Sequence, residues 1–306
     1  MSSTSASVRR RFSRQSMKIH AAQRDVDGAS RFSKRQRGPG RNTEGFASEA
    51  AGINLIDASL AFGGVKAIDN LSLTIPTGVV TGLIGPNGSG KTSLLNVISG
   101  FYRPQSGMVR FGERDLTSHP PHRVIGMGIA RSFQQPALFW NMSVADNLKL
   151  GYDHKSTAGV FRSTLMTPRS RAHEARATEE AFGVLKFLGL EQLAGQKAGK
   201  LSYGHQKLVD VGRALMSRPQ IVLLDEPAAG TSEQQKVWLG EIIGRIPGEY
   251  GSGVLLVEHD TQMVFRLCER IAVMFFGQCI ANATPDQVKG DPAVIEAYLG
   301  TDHEAS

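Results

Sequence analysis

A chain of 306 residues, 41 % hydrophobic and 21 % charged, has the length for one large domain or two small ones and the balance of a soluble globular protein. Its formal charge of +7 does not describe a nucleic-acid-binding face, because residues 1–50 hold 11 Lys and Arg against 4 Asp and Glu while the 24 of each that follow cancel. No apolar run reaches the roughly 20 residues of a membrane-spanning helix, no apolar stretch follows the basic start as a signal peptide requires, and Cys268 and Cys279 stand apart without metal-ligand spacing; a cytosolic chain with free thiols is expected.

In chain order, Met1 to about Ala50 lacks helical or strand periodicity. It is rich in Arg, Ser and Gly and poor in large apolar residues, so it cannot offset its ordering entropy. Residues 1–50 therefore read as a disordered basic extension. It is a solvated segment without a role, or an over-extended start ahead of a first residue at Met17, or an electrostatic contact with anionic lipid, or a transit peptide. Order is expected from Ile53. "INLIDASLAF" and "LSLTI" alternate as strands, with Gly63–Gly64 as a turn. "GVVTGLIG" is an apolar strand running into a glycine loop, and "KTSLLNVISGF" sets Leu94, Leu95, Val97 and Ile98 on one side of a helix. The segment Asp153–Arg176 is basic and reads as a solvated surface loop or as a contact with a membrane partner or lipid headgroups. "RAHEARATEEAFGVLKFLGL" predicts a long amphipathic helix, while "QIVLLDEP", "GVLLVEHD" and "IAVMFF" predict short strands buried on both faces. Strands alternating with helices imply an α/β domain with a largely parallel sheet.

Gly85, Pro86, Asn87, Gly88, Ser89, Gly90, Lys91 and Thr92 match the pattern G-x-x-x-x-G-K-[ST], after a strand and before a helix. Glycines let successive N–H groups turn inward around phosphate oxygens, and a helix N-terminus adds a favourable dipole. Lys91 suits the β- and γ-phosphates, and the Thr92 hydroxyl suits Mg²⁺. The anion this loop is built for is a nucleoside triphosphate. "LLDEP" supplies the complement: Ile221–Leu224 deliver Asp225 to a strand end, where it suits Mg²⁺, and Glu226 follows at a position suited to polarising water.

Taken together these motifs resemble the ATP-binding subunit of ABC transporters, over roughly residues 53–300. "SFQQ" places Gln134 as the glutamine that touches Mg²⁺ and senses the membrane partner. "LSYGH" resembles the signature, with Ser202 and Gly204 meeting the γ-phosphate of the opposite subunit. "VLLVEHD" places His259 as the switch histidine, Phe62 sits where the family stacks an aromatic on adenine, and Ser93 completes the phosphate loop. The resemblance implies an α/β P-loop NTPase core with a mostly parallel sheet, an N-terminal antiparallel β subdomain and an inserted α-helical subdomain at about 135–215. The ATPase domain would span 51–302 and leave a tail at 303–306. It also implies ATP and Mg²⁺ as cofactors, catalysis by Glu226, His259 and Gln134, and metal ligation by Thr92, Gln134 and Asp225.

"GIARSFQQPALFWNMSVADNL", "LSYGHQKLVDVGRAL", "DEPAAG" and "ATPDQVKGDPAVIEAYLG" resemble the subfamily serving branched-chain amino acid import. The implied partners are integral membrane permease subunits, a second ATP-binding subunit (a copy or a paralogue) and, indirectly, a substrate-binding protein, with no nucleic acid. The implied place is the cytoplasmic face of the plasma membrane. Urea or short-amide import, lipid or lipopolysaccharide export, and a non-transport ATPase are the rival readings. A single phosphate loop and the short segment between Gln134 and Ser202 disfavour the last. Three positions depart from the pattern: Tyr203 replaces a glycine, His205 replaces the signature glutamine, and "AAGTSEQQ" lacks Leu-Asn or Leu-Asp after Gly230. Little loss is expected from His205, since Ser202 and Gly204 make the phosphate contact, whereas the Gly230 departure is expected to alter cross-talk between two sites.

Overall fold

The computed structural model describes residues 52–152 and 168–300. The basic extension, residues 153–167 of the basic loop and the tail at 303–306 lie outside the described residues. Strand β1 (Gly52–Phe62) pairs antiparallel with β2 (Val65–Pro76), Ile53 opposite Ile75 and Leu55 opposite Leu73, so one apolar face is buried. The chain then enters β3 (Val80–Ile84), whose five residues are all buried, and passes through the glycine loop into α1 (Lys91–Ile98). β4 (Ser106–Phe111) returns beside β1, and β5 (Arg114–Asp115) ends this four-stranded antiparallel sheet.

A short α2 (Pro121–Gly126) leads to β6 (Ile129–Arg131). Helices α3 (Val144–Tyr152), α4 (Pro168–Leu188) and α5 (Tyr203–Leu215) follow, and pack through Val144, Leu148, Val184, Leu188 and Leu208. Buried Asn147 bridges into the preceding loop, accepting from the Phe139 N–H at 2.8 Å and donating to the Phe139 carbonyl at 3.1 Å. β7 (Ile221–Asp225), α6 (Glu233–Tyr250), β8 (Gly253–Val257), α7 (Thr261–Leu267), β9 (Arg270–Phe275) and β10 (Gln278–Ala283) complete the core, with α8 (Pro285–Gly290) and α9 (Pro292–Gly300) closing the described chain.

The second sheet runs β10-β9-β3-β8-β7-β6, parallel throughout except for the antiparallel edge strand β10. Its central strands β3, β7 and β8 are buried along their whole length because both faces are covered. Val222, Leu224, Val254, Leu256, Ile271 and Val273 join the core under α3 to α7, whereas Ile221, Leu223, Leu255, Val257, Ala272 and Met274 face α1 and the antiparallel sheet. The mixed α/β architecture expected from the sequence is therefore present. Parallel pairing has one consequence for chemistry. The C-terminal ends of β3, β6, β7 and β8 lie along one edge, so the segments that follow Ile84, Arg131, Asp225 and Val257 are gathered there, as in other open α/β sheets that bind ligands at this edge.

Candidate active site

The loop after β3 is shaped by its glycines. Gly85 and Gly90 have φ of +155° and +103°. A Cβ on either would lie 2.2 Å from a backbone oxygen, that of Met274 and that of Ala67 respectively, so no other residue fits. α1 has no side-chain cap, which leaves its first N–H groups free for an anion with the positive end of the helix dipole behind them. Ser89 Oγ is buried beside them without a hydrogen-bond partner. Asn87 and Thr92 are exposed, Pro86 and Ser93 half-buried.

Lys91 is buried, and its Nζ donates to the carbonyls of Gly85 at 2.8 Å and Pro86 at 3.0 Å. Burial holds its pKa below the usual lysine value, against the pull of the Glu226 and Asp225 carboxylates. Phosphate oxygens would offer the same donors a fully charged partner.

Three sequence-predicted residues meet at the end of β7. Gln134 Nε2 donates to Glu226 Oε2 at 2.7 Å, and His259 Nε2 shares a hydrogen bond with Glu226 Oε1 at 2.7 Å. Glu226 adopts φ +47°, the left-handed region that non-glycine residues avoid. The turn is held from two sides. Buried Glu258 accepts from the Ala228 N–H at 2.7 Å, and Lys207 of α5 donates to the Glu226 carbonyl at 3.2 Å. Burial pushes the Glu258 carboxyl above the usual range, against the hydrogen bonds it accepts.

Asp225 is tied elsewhere. Its Oδ2 accepts from Arg131 Nη2 at 2.9 Å, with both side chains 8 % exposed, and Arg131 Nη1 reaches Asn96 Oδ1 of α1 at 2.7 Å and Ser99 Oγ, at the helix's C-cap, at 3.0 Å. Asp225, Thr92 and Gln134 each carry an oxygen of the hard kind that suits Mg²⁺.

The remaining predicted residues make other contacts. Phe62 ends β1, 48 % exposed, edge-on to Tyr102 at 5.2 Å. Ser202 caps α5, accepting from the His205 N–H at 3.4 Å. Gly204 lies under the Gln235 side chain, which a Cβ would meet at 2.5 Å. His205 packs edge-on against Trp238 at 5.5 Å, and Tyr203 lies against Gly230. The atypical stretch after Gly230 forms a capping box on α6, Ser232 with Gln235, which explains a serine there in local terms.

Sequence reasoning missed Lys207, Arg131 and Glu258. The only signal for Lys207 was a charge on the apolar stripe of α5. For Arg131 and Glu258 it was a charged residue at or just beyond the end of a buried strand.

The family model for ABC transporters matches residues 68–229, more than half of the chain, and a model for branched-chain amino acid ATP-binding cassette transporters matches residues 278–304. The high-affinity branched-chain amino acid transport ATP-binding protein LivG of Salmonella typhimurium is 36 % identical over 241 residues, 79 % of this chain and 94 % of that protein. The ADP conformation of an ATP-binding cassette of an ABC transporter superposes with a TM-score of 0.70 at 34 % identity, covering 81 % of this chain and 98 % of that one. A bacterial ABC transporter cassette solved as a dimer gives 0.64 at 25 % identity, covering 76 % and 98 %. A phosphate loop backed by an uncapped helix, a carboxylate held by a glutamine and a histidine, and these relatives place the chain in one family: it belongs to the ABC transporters, as an ATP-hydrolysing subunit resembling their branched-chain amino acid group.

Proposed function

We propose that this chain energises the import of branched-chain amino acids, docked on integral membrane permeases at the cytoplasmic face of the membrane and paired with a second ATP-binding subunit. The observation that carries the mechanism is the Glu226 carboxylate, held at 2.7 Å by both Gln134 and His259. The N–H groups of Gly88 to Ser93 and the Lys91 ammonium bind the β- and γ-phosphates, and Phe62 stacks on adenine. Thr92, Gln134 and Asp225 hold Mg²⁺, which when bound neutralises charge developing on the transferred phosphoryl group. Glu226 accepts a proton from the water that attacks the γ-phosphorus, as the bond to the β–γ bridging oxygen breaks and ADP and phosphate form. His259 orients the carboxylate. Ser202 and Gly204 serve the nucleotide bound by the opposite subunit, so two chains complete two sites, and their opening and closing drives the permeases. Support for the pairing comes from the relative solved as a dimer. The substrate assignment rests on the relatives' names.

The test is uptake of labelled leucine and labelled urea in cells carrying the intact chain or Lys91→Ala. The expected result is loss of leucine uptake alone. Loss of urea uptake alone would keep the mechanism and replace the substrate, and normal uptake of both would end the transport assignment.

A further inference from the structure

Lys207 lies on α5 and is 2 % exposed. An ammonium taken out of water is costly unless its donors are met, and here they meet two particular partners. Nζ donates to the Gln134 carbonyl and, at 3.2 Å, to the Glu226 carbonyl, while its charge lies 5.6 Å from the Tyr203 ring centroid. These carbonyls belong to the two residues whose side chains join at 2.7 Å. Lys207 thus joins the backbones of the two residues whose side chains share that hydrogen bond. Burial holds the pKa of Lys207 below the usual lysine value, against the pull of the Asp210, Glu258, Glu226 and Asp225 carboxylates.

The link is part of a larger grip. Three residues on from Lys207, Asp210 Oδ2 accepts from the Phe133 N–H at 3.2 Å, and three further on, Arg213 Nη1 donates to the Ala137 carbonyl at 2.5 Å. One face of α5 therefore fastens residues 133–137 at three successive points. Lys207 alone among the three also reaches Glu226, whose left-handed backbone turns its carbonyl to both Lys207 and the Ala229 N–H at 3.1 Å. The helix that carries this grip begins at Ser202 and Gly204.

We propose that Lys207 is a positioning residue for hydrolysis: its ammonium fixes the backbones of Gln134 and Glu226 so that their side chains meet, and ties that geometry to the helix that presents Ser202 and Gly204. The inference rests on the assignment of Glu226 as the base. Methionine at 207 keeps the packing and removes the donors; arginine keeps a charged donor.

The experiment measures ATP hydrolysis and binding of a fluorescent ATP analogue by the full chain and by Lys207→Met, Lys207→Arg and Glu226→Gln. In Lys207→Met, kcat falls on the order of 10- to 100-fold, as for a displaced catalytic group, while nucleotide Kd stays within about twofold of the parent. Lys207→Arg recovers most of the lost kcat. Parental kcat in Lys207→Met overturns the proposal. So does a parallel loss of Kd, kcat and thermal midpoint in both Lys207 variants, which marks a purely structural lysine. Glu226→Gln separates the two claims. If it is inactive while Lys207→Met is not, only the Lys207 inference fails; if it turns over normally, the assignment of the base fails and takes the inference with it.

Discussion

The phosphate loop and the Glu226 turn lie at the C-terminal ends of β3 and β7, with β8 between them, and each asks the backbone for a conformation ordinary residues resist. They meet the demand differently. At Gly85 and Gly90 the residue type itself removes the conflict, since positive φ and a carbonyl at 2.2 Å from any added Cβ are tolerable only without a side chain. At Glu226 the side chain is needed for chemistry, so the left-handed φ of +47° stands at a cost of roughly 1–2 kcal/mol, and distant groups hold it. Lys207 holds it from α5 and Glu258 from the end of β8. One strained turn is encoded locally, the other by tertiary structure.

The largest effect that would test this contrast is at Gly90. Gly90→Ala forces a Cβ onto the Ala67 carbonyl and adds the left-handed penalty, so the loop has to move. Loss of ATP-analogue binding is expected, together with a lower thermal midpoint. Binding within twofold of the parent would mean the loop is not encoded by its glycines. Next comes Arg131, which links Asp225, beside the Glu226 turn, to Asn96 and Ser99 at the C-terminal end of the helix that follows the phosphate loop. Removing one member of a buried ion pair leaves the other charge uncompensated, at about 3–5 kcal/mol. Arg131→Met is expected to lose about 3 kcal/mol in urea unfolding. The double variant Arg131→Met/Asp225→Asn is expected to regain part of it, because no buried charge remains unpaired. A single variant indistinguishable from the parent would show that the pair binds the two regions only weakly.

The same contrast explains what was legible in the sequence. The parallel strands announced themselves because burial on both faces demands continuous apolar runs, and Ile221–Leu224 and Val254–Val257 are such runs. The phosphate loop was legible because glycine spacing is the conformation written as composition. Gln134, Glu226 and His259 could be named one by one, yet their meeting at 2.7 Å depends on strand order and could not be read. Lys207, Arg131 and Glu258 were illegible for a further reason. A lone charge in an apolar segment is ordinarily a solvated edge residue, and only the fold shows that each points inward to a backbone group or an opposite charge. The stretch Thr231–Gln235 shows a motif overlooked for a different one. Read as a departure after Gly230, it also spells a serine followed three residues later by glutamine, the capping box that starts α6.

The smallest effect is at Glu258, and it asks whether the Glu226 turn is held by charge or by a hydrogen bond. Glutamine keeps an oxygen to accept from the Ala228 N–H, so Glu258→Gln is expected to change stability at pH 7 by less than about 1 kcal/mol, and toward greater stability. The direction follows from linkage. Burial raises the carboxyl's folded pKa above its ordinary value of 4.5, so its proton stabilises the fold below that value. The contribution is lost as pH rises through the higher folded pKa. Glutamine has no proton to lose. Thermal midpoints measured from pH 4 to pH 7 are therefore expected to fall less steeply with rising pH in Glu258→Gln than in the parent. Parallel curves would mean that the carboxyl ionises in the folded chain as readily as in the unfolded one. A variant whose midpoints instead fell more steeply than the parent's as pH rose would show that the negative charge itself holds the turn, and the Glu226 conformation would then depend on electrostatics rather than on one well-placed acceptor.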